Sequence, residues 1–337
     1  MSNDDVGTAN TMRERAKAPG IRFRILLELN RLVFAGVLVV AVFVSFAVAV
    51  TVLPPGFAAV VRSGDVIDTL FSAMITAIVT GSTLVVSIGQ LVISQEDGPL
   101  GDQRKRMSDT LDFRGYTDEL LDETTPADPS SFLRSIVDLT AERTRTLREG
   151  LLDTGDEQLR TEAEKFTESV IRNAMEVSAQ LDGATFGTFD VLSAALNFNY
   201  SWKLYQVDRI SNDHADALDE TDKARLQELK TALAMFGPAR QHIKTLYFQW
   251  ELITFSQLTL YLAVPALVVA GVMMATVDAT TVTGYTLGVD NLTWVVGAAF
   301  AFTLAPFLLF VAYLLRILTV AKRTLAIGPL ILRESQR

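Results

Sequence analysis

The stretch TLFSAMITAIVTGSTLVVSIGQLVIS, Thr69 to Ser94, decides how this chain is read. It is long and apolar enough to cross a hydrocarbon core of about 30 Å as one helix, which takes about 20 residues. Its polar residues are nevertheless spaced with order: Thr69, Ser72, Thr76, Thr80, Thr83, Ser87, Gln90 and Ser94. At about 100° per residue all eight fall within roughly 40° of one line along the helix. Asp65 lies on the same line at one end, and Asp97 lies close to it at the other. Beside the line, Ala73, Ala77 and Gly81 repeat every fourth residue, a small-residue face on which another helix is expected to pack closely.

Three more apolar runs flank this one. They extend from about Val33 to Leu53, ended by Pro54, Pro55 and Gly56, from about Leu252 to Ala275, and from about Leu292 to Leu318. The first follows some thirty residues and is about twenty long, too long for the 7–15-residue apolar stretch of a cleaved signal peptide. Arginine and lysine mark the sides. Arg13, Arg15, Lys17, Arg22, Arg24 and Arg31 precede the first run, Arg104, Lys105 and Arg106 follow the second, and Arg316, Lys322 and Arg323 close the fourth. The two opposite loops, 54–65 and 276–290, hold Arg62 alone. By the positive-inside rule both termini and everything between the second and third runs are cytoplasmic.

The expectation is an all-α integral membrane protein with four transmembrane helices and a helical cytoplasmic domain inserted between helices 2 and 3. Residues 1–20 are expected to be a disordered tail. Residues 21–95 hold a surface-lying amphipathic helix and the first two spans, 96–240 the acidic helical domain, 241–323 the last two spans, and 324–337 a cytoplasmic tail. In the inserted domain, apolar residues at helical spacing predict helices from Pro129 toward Gly150, from a cap near Asp156 through Phe166 and Val177, from Phe189 to Ile210, and from Asp219 to Met235. Past Pro238 the chain is expected to run straight into the third span.

The chain has 39 acidic against 30 basic residues, a net charge of −9, more arginine than lysine, and no cysteine. An acidic, lysine-poor, cysteine-free soluble part resembles the proteins of salt-in halophiles. In molar salt the Debye length is below about 3 Å, so a dense carboxylate coat is tolerated. The acidity is therefore read as habitat, with no nucleic-acid partner. Disulfides and thiolate metal sites are excluded. His214, in an Asp-rich stretch, is read as part of a solvated connection, and no metal or cofactor site is expected. The Gly183–Gly187 loop lacks the lysine of a phosphate-binding loop, and no catalytic motif is present, so no enzyme is expected. The plan of four spans, a helical cytoplasmic insert and a long second span is similar to that of bestrophin channels. Their tryptophan-rich pattern after the second span is replaced here by Gln95-Glu96-Asp97-Gly98-Pro99. The likeness is one of topology, and it implies no residue roles.

A hydroxyl gains nothing from facing lipid, so the polar line faces protein or water. One reading has several copies around a symmetry axis turning Thr69, Ser72, Thr76, Thr80, Thr83, Ser87, Gln90 and Ser94 inward to line a path. Asp65 and Asp68 at one mouth, with Glu96 and Asp97 at the other, would give a weak preference for cations. The other reading makes the line a packing seam against another span of the same chain. The protein is then a non-conducting scaffold or sensor whose cytoplasmic helices bind a protein partner. The side toward which the line points discriminates between them.

Overall fold

The computed structural model describes residues 25, 29–53, 57–96, 98–152 and 154–323. The expected disordered tail, the surface-lying helix before Asn30, the mouth residue Asp97 and the tail from 324 lie outside the described residues, as does the side chain of Glu96. The chain is mostly helical. It divides into two compact units: one holds residues 98–248 and 320–323, the other holds residues 249–319 together with the described residues before 97.

The apolar unit contains α1 (Arg31–Val52), the short α2 (Phe57–Ser63), α3 (Val66–Glu96), the apolar part of α9 (Glu220–Thr276), α10 (Asn291–Thr303) and, as far as Thr319, α11 (Ala305–Arg323). Asn30 caps α1 by accepting from the Leu32 amide at 2.9 Å. Three helices, α1, α3 and α9, are long and apolar enough to cross a membrane, and a fourth crossing is made if α10 and α11 count together. Those two are bent by 44° at Leu304. The sequence suggested one continuous run there. Pro306 supplies the reason: it has no N–H, and its ring crowds the carbonyl four residues back. Pro265, by contrast, sits inside the unbroken α9.

The core of this unit is a stack of three clusters. Ile67 and Phe71 meet Ala270, Met273 and Val296; Ile78 meets Ala263 and Ala266; Val85 meets Phe255, Leu309 and Ala35. As numbers rise along α3 they fall along α9 and rise along α10 and α11, so α3 is antiparallel to α9 and runs with the bent pair. Between α9 and α10 lies a small hairpin, β1 (Tyr285–Thr286) and β2 (Val289–Asp290). Leu287 and Gly288 turn it with φ of 56° and 78°, the left-handed pair that a tight two-residue hairpin turn requires.

The polar unit contains α4 (Leu100–Leu121), α5 (Pro129–Leu151), α6 (Glu157–Leu181), α7 (Phe189–Asn197), α8 (Tyr200–Asp213) and the first part of α9. Asp128 and Asp156 cap α5 and α6 by accepting from the Ser131, Gln158 and Leu159 amides. Leu133, Ile136 and Leu147 pack with Phe166, Val170, Val177 and Leu229 in one buried cluster. The single helix expected over Phe189–Ile210 is two, because Phe198 leaves helical geometry at φ −92°, ψ 99°. Its ring is wholly buried, edge-on to Phe236 at 4.6 Å, and the Asn173 amide donates to the freed Asn197 carbonyl at 3.1 Å. The burial of one aromatic ring outweighs helix continuity. Pro238 ends nothing: α9 passes through it unbroken. The carbonyl four residues back belongs to Ala234, an exposed residue.

Candidate functional site

On α3 the buried residues are Ile67, Phe71, Ile78, Val85 and Val92. They recur at intervals of four and seven, and at about 100° per residue they centre on one direction. The polar residues Thr69, Ser72, Thr76, Thr80, Thr83, Ser87, Gln90 and Ser94 are all exposed, as are Asp65 and Asp68. Their line points roughly 190° away from the buried direction. The polar stripe therefore faces away from the other described helices of its own unit, from one end of α3 to the other. The same 3.5-residue spacing produces both faces, because it keeps each in register over about eight turns.

Five of the seven hydroxyls are satisfied locally. Thr69, Thr76, Thr83 and Ser87 each donate to the carbonyl four residues back, at 2.9, 3.1, 3.0 and 3.0 Å, and Ser94 donates to Leu91 O at 2.8 Å. With the proton turned inward to the helix, each oxygen presents its remaining lone pair outward. Gln90, nearer the Glu96 end, adds an amide with both donors and an acceptor. Exposed apolar residues border the line on both sides: Val79 and Val86 on one, Leu84 and Leu91 on the other. Among the described residues no helix packs on the small-residue face. Ala73 and Ala77 are exposed, and a Cβ built on Gly81 would meet no atom within 4 Å.

Two features of the apolar unit were not read from sequence. Arg31 at the start of α1 forms an ion pair with Glu251, whose side chain is 1% exposed, and stands over the Tyr313 ring at 5.1 Å. Arg31 and Glu251 each begin an apolar run, and that shared placement was the available signal. The second is the Thr259 hydroxyl on α9, buried and without a hydrogen-bond partner among the described residues.

In the polar unit, His214 is buried rather than solvated, correcting the reading of its Asp-rich stretch. Its Nε2 lies 3.0 Å from Glu162 Oε2, and Arg209 pairs with the other oxygen of the same carboxylate. The acidic neighbours in sequence misled, because the partner that matters comes from α6, 52 residues away. The Asp156 carboxyl is held below its usual range by the Leu159 amide, with further help from the Gln158 amide and His214. Lys203 is also wholly buried, 2.7 Å from Asn173 Oδ1 and over the Phe198 ring. Among the described residues, no three histidine or acidic side chains are placed to hold a metal.

No curated protein and no solved structure matches the chain. A family match does cover residues 1–337, and by it the chain belongs to a family of unknown function, DUF7972.

Proposed function

We propose that this chain is a four-span membrane protein that assembles into a cyclic homo-oligomer, with the polar face of α3 lining an aqueous path across the bilayer. α10 and α11 together make the fourth span. The basic residues at the span ends support a topology with both termini and the polar unit in the cytoplasm. One observation carries the reading: eight hydroxyl and amide side chains form an exposed line diametrically opposite the face that α3 buries. A polar line of membrane length gains nothing against lipid, and among the described residues of its own unit it has no helix to pack on. Further copies of the same chain, turned inward about an axis, supply both the enclosure and the water. Asp65 and Asp68 at one mouth, with Glu96 and Asp97 at the other, give such a path a weak cation preference. The reading assigns no enzymatic step and no cofactor.

A second reading has an observation of its own. Residues 100–112 of α4 are all exposed, including Leu100, Met107 and Leu111. A helix solvated on every side has its partner elsewhere, which suits a non-conducting scaffold whose cytoplasmic helices hold another protein.

Cysteine accessibility separates the two, in a chain with no native cysteine. Single variants Thr76→Cys, Thr80→Cys, Thr83→Cys, Ser87→Cys and Gln90→Cys are treated at molar salt with a membrane-impermeant thiol reagent. Val79→Cys, Leu84→Cys, Val86→Cys and Leu91→Cys serve as the bordering controls. The pore reading expects labelling along the stripe and none on its borders, and then conductance after reconstitution. A stripe that resists the reagent as its borders do is a dry seam, and the pore reading is wrong.

A further inference from the structure

A cavity of about 170 Å³ lies in the apolar unit where α10 gives way to α11, between that break and the middle of α3 and α9. An apolar cavity of about 150 Å³ is large enough to take up benzene. Its walls include Ile78, Gly81 and Ser82 from α3, Thr259 from α9, Thr303 at the end of α10, and Phe307 on α11; none of its lining residues is ionisable. The space is mostly apolar, so a charged occupant has nothing to offset its dehydration.

Its polar atoms are few and have capacity to spare. Of the helical hydroxyls in this protein most donate to a carbonyl three or four residues back, as Ser256 does one turn earlier on α9 at 2.7 Å. Thr259 does not, although it is 3% exposed, and its hydroxyl has no partner among the described residues. Buried hydroxyls left so are uncommon, because the lost hydration is uncompensated. Thr303 donates to Phe300 O at 2.8 Å and keeps its oxygen lone pairs. At the break the Leu304 amide donates to the Phe300 and Phe302 carbonyls. Non-helical backbone within a membrane is tolerated where it is enclosed by protein or borders a cavity. There is room and there is access: a Cβ on Gly81 would meet nothing within 4 Å, and Phe307 on the rim is 59% exposed.

We infer that this cavity binds a small uncharged molecule of about phenol size, entering from the side of the bundle, with its one hydrogen-bonding group held by the Thr259 hydroxyl. The site belongs to a single chain and does not depend on the pore reading.

The test uses the full chain in lipid nanodiscs, with 4-fluorophenol and fluorobenzene followed by fluorine NMR and empty nanodiscs subtracted. Saturable binding of 4-fluorophenol is expected. Gly81→Leu fills the cavity and weakens both probes at least tenfold. Thr259→Val, of nearly the same shape, weakens 4-fluorophenol by about 3–10-fold, the worth of one neutral hydrogen bond, and leaves fluorobenzene unchanged. The inference is overturned if no binding exceeds that of empty nanodiscs, which would mean the space holds water or acyl chain. It is equally overturned if Gly81→Leu changes nothing, or if Thr259→Val affects the two probes alike.

Discussion

Replacing Arg31 by methionine leaves the Glu251 carboxylate stranded at the start of an apolar helix segment. The Glu251 side chain is 1% exposed and that of Arg31 17%, so solvent screens the pair little. Oε1 of Glu251 already lacks a partner among the described residues, and Arg31 meets Oε2. Breaking a buried ion pair from one side costs about 3–5 kcal/mol, mostly the desolvation of the charge left behind. The upper part of that range is expected here, because the guanidinium also loses its place 5.1 Å over the Tyr313 ring, a contact worth about 1–2 kcal/mol when desolvated. Changing both residues to methionine removes the stranded charge and is expected to recover most of the loss. The assay is a double-mutant cycle of denaturation in one detergent, with four proteins: the unaltered chain, Arg31→Met, Glu251→Met and the double variant. Buried pairs are screened weakly, so the coupling should persist at molar salt, where the exposed Arg143–Glu228 pair at 3.3 Å contributes nothing. An Arg31→Met cost below about 1 kcal/mol, or single costs that simply add in the double variant, would refute the reasoning.

Two glycines in the polar unit should behave oppositely. Gly237→Ala places a Cβ 2.9 Å from Tyr200 Cε2, in a ring held between Phe236 and Arg240, and should destabilise the protein by about 1–3 kcal/mol in denaturant unfolding. Gly150→Ala meets the guanidinium of Arg225, the free end of a flexible side chain, and at 3.2 Å the Asp222 carboxylate it pairs with, and should be neutral or gain up to about 1 kcal/mol of helix propensity in the same measurement. In the loop after α9, hydroxyl and amide donors from Thr280, then Thr281, hold the Asp278 carboxyl down to about 2 from 3.8. The folded value is the lower one, so this loop's contribution is complete above pH 3.8 and is lost as pH falls toward 2. A carboxyl-carbon NMR titration should show a midpoint near 2, and a midpoint at 3.8 would mean that the threonines do not hold it.

Much of the helical layout was legible because its causes are local. The starts of α5 and α6 follow from Asp128 and Asp156, each a side chain able to cap the amides just after it. The failures share a physical form. Phe198 breaks a helix that its own neighbours favour, because its ring finds Phe236 thirty-eight residues on. His214 was read from the acids beside it and is held by a carboxylate on α6. Pro238, Pro265 and Pro306 look alike in sequence, yet α9 runs on through the first two, and only at the third does the helix end. Tertiary contacts decide whether a helix runs on through a proline or ends just before it.

The sequence by itself determined that α3 is one long apolar helix with a polar line along it, since a 3.5-residue period is written in the order of the residues and needs no partner. Which way that line points was decided only by the fold. Ile67, Phe71, Ile78 and Val85 find their apolar partners on α1, α9, α10 and α11, and burying one face of a helix turns the opposite face outward. The Arg31–Glu251 pair, 220 residues apart, and the Thr259 hydroxyl, without a partner among the described residues, belong to the same class. Each depends on distances between segments that local spacing does not encode.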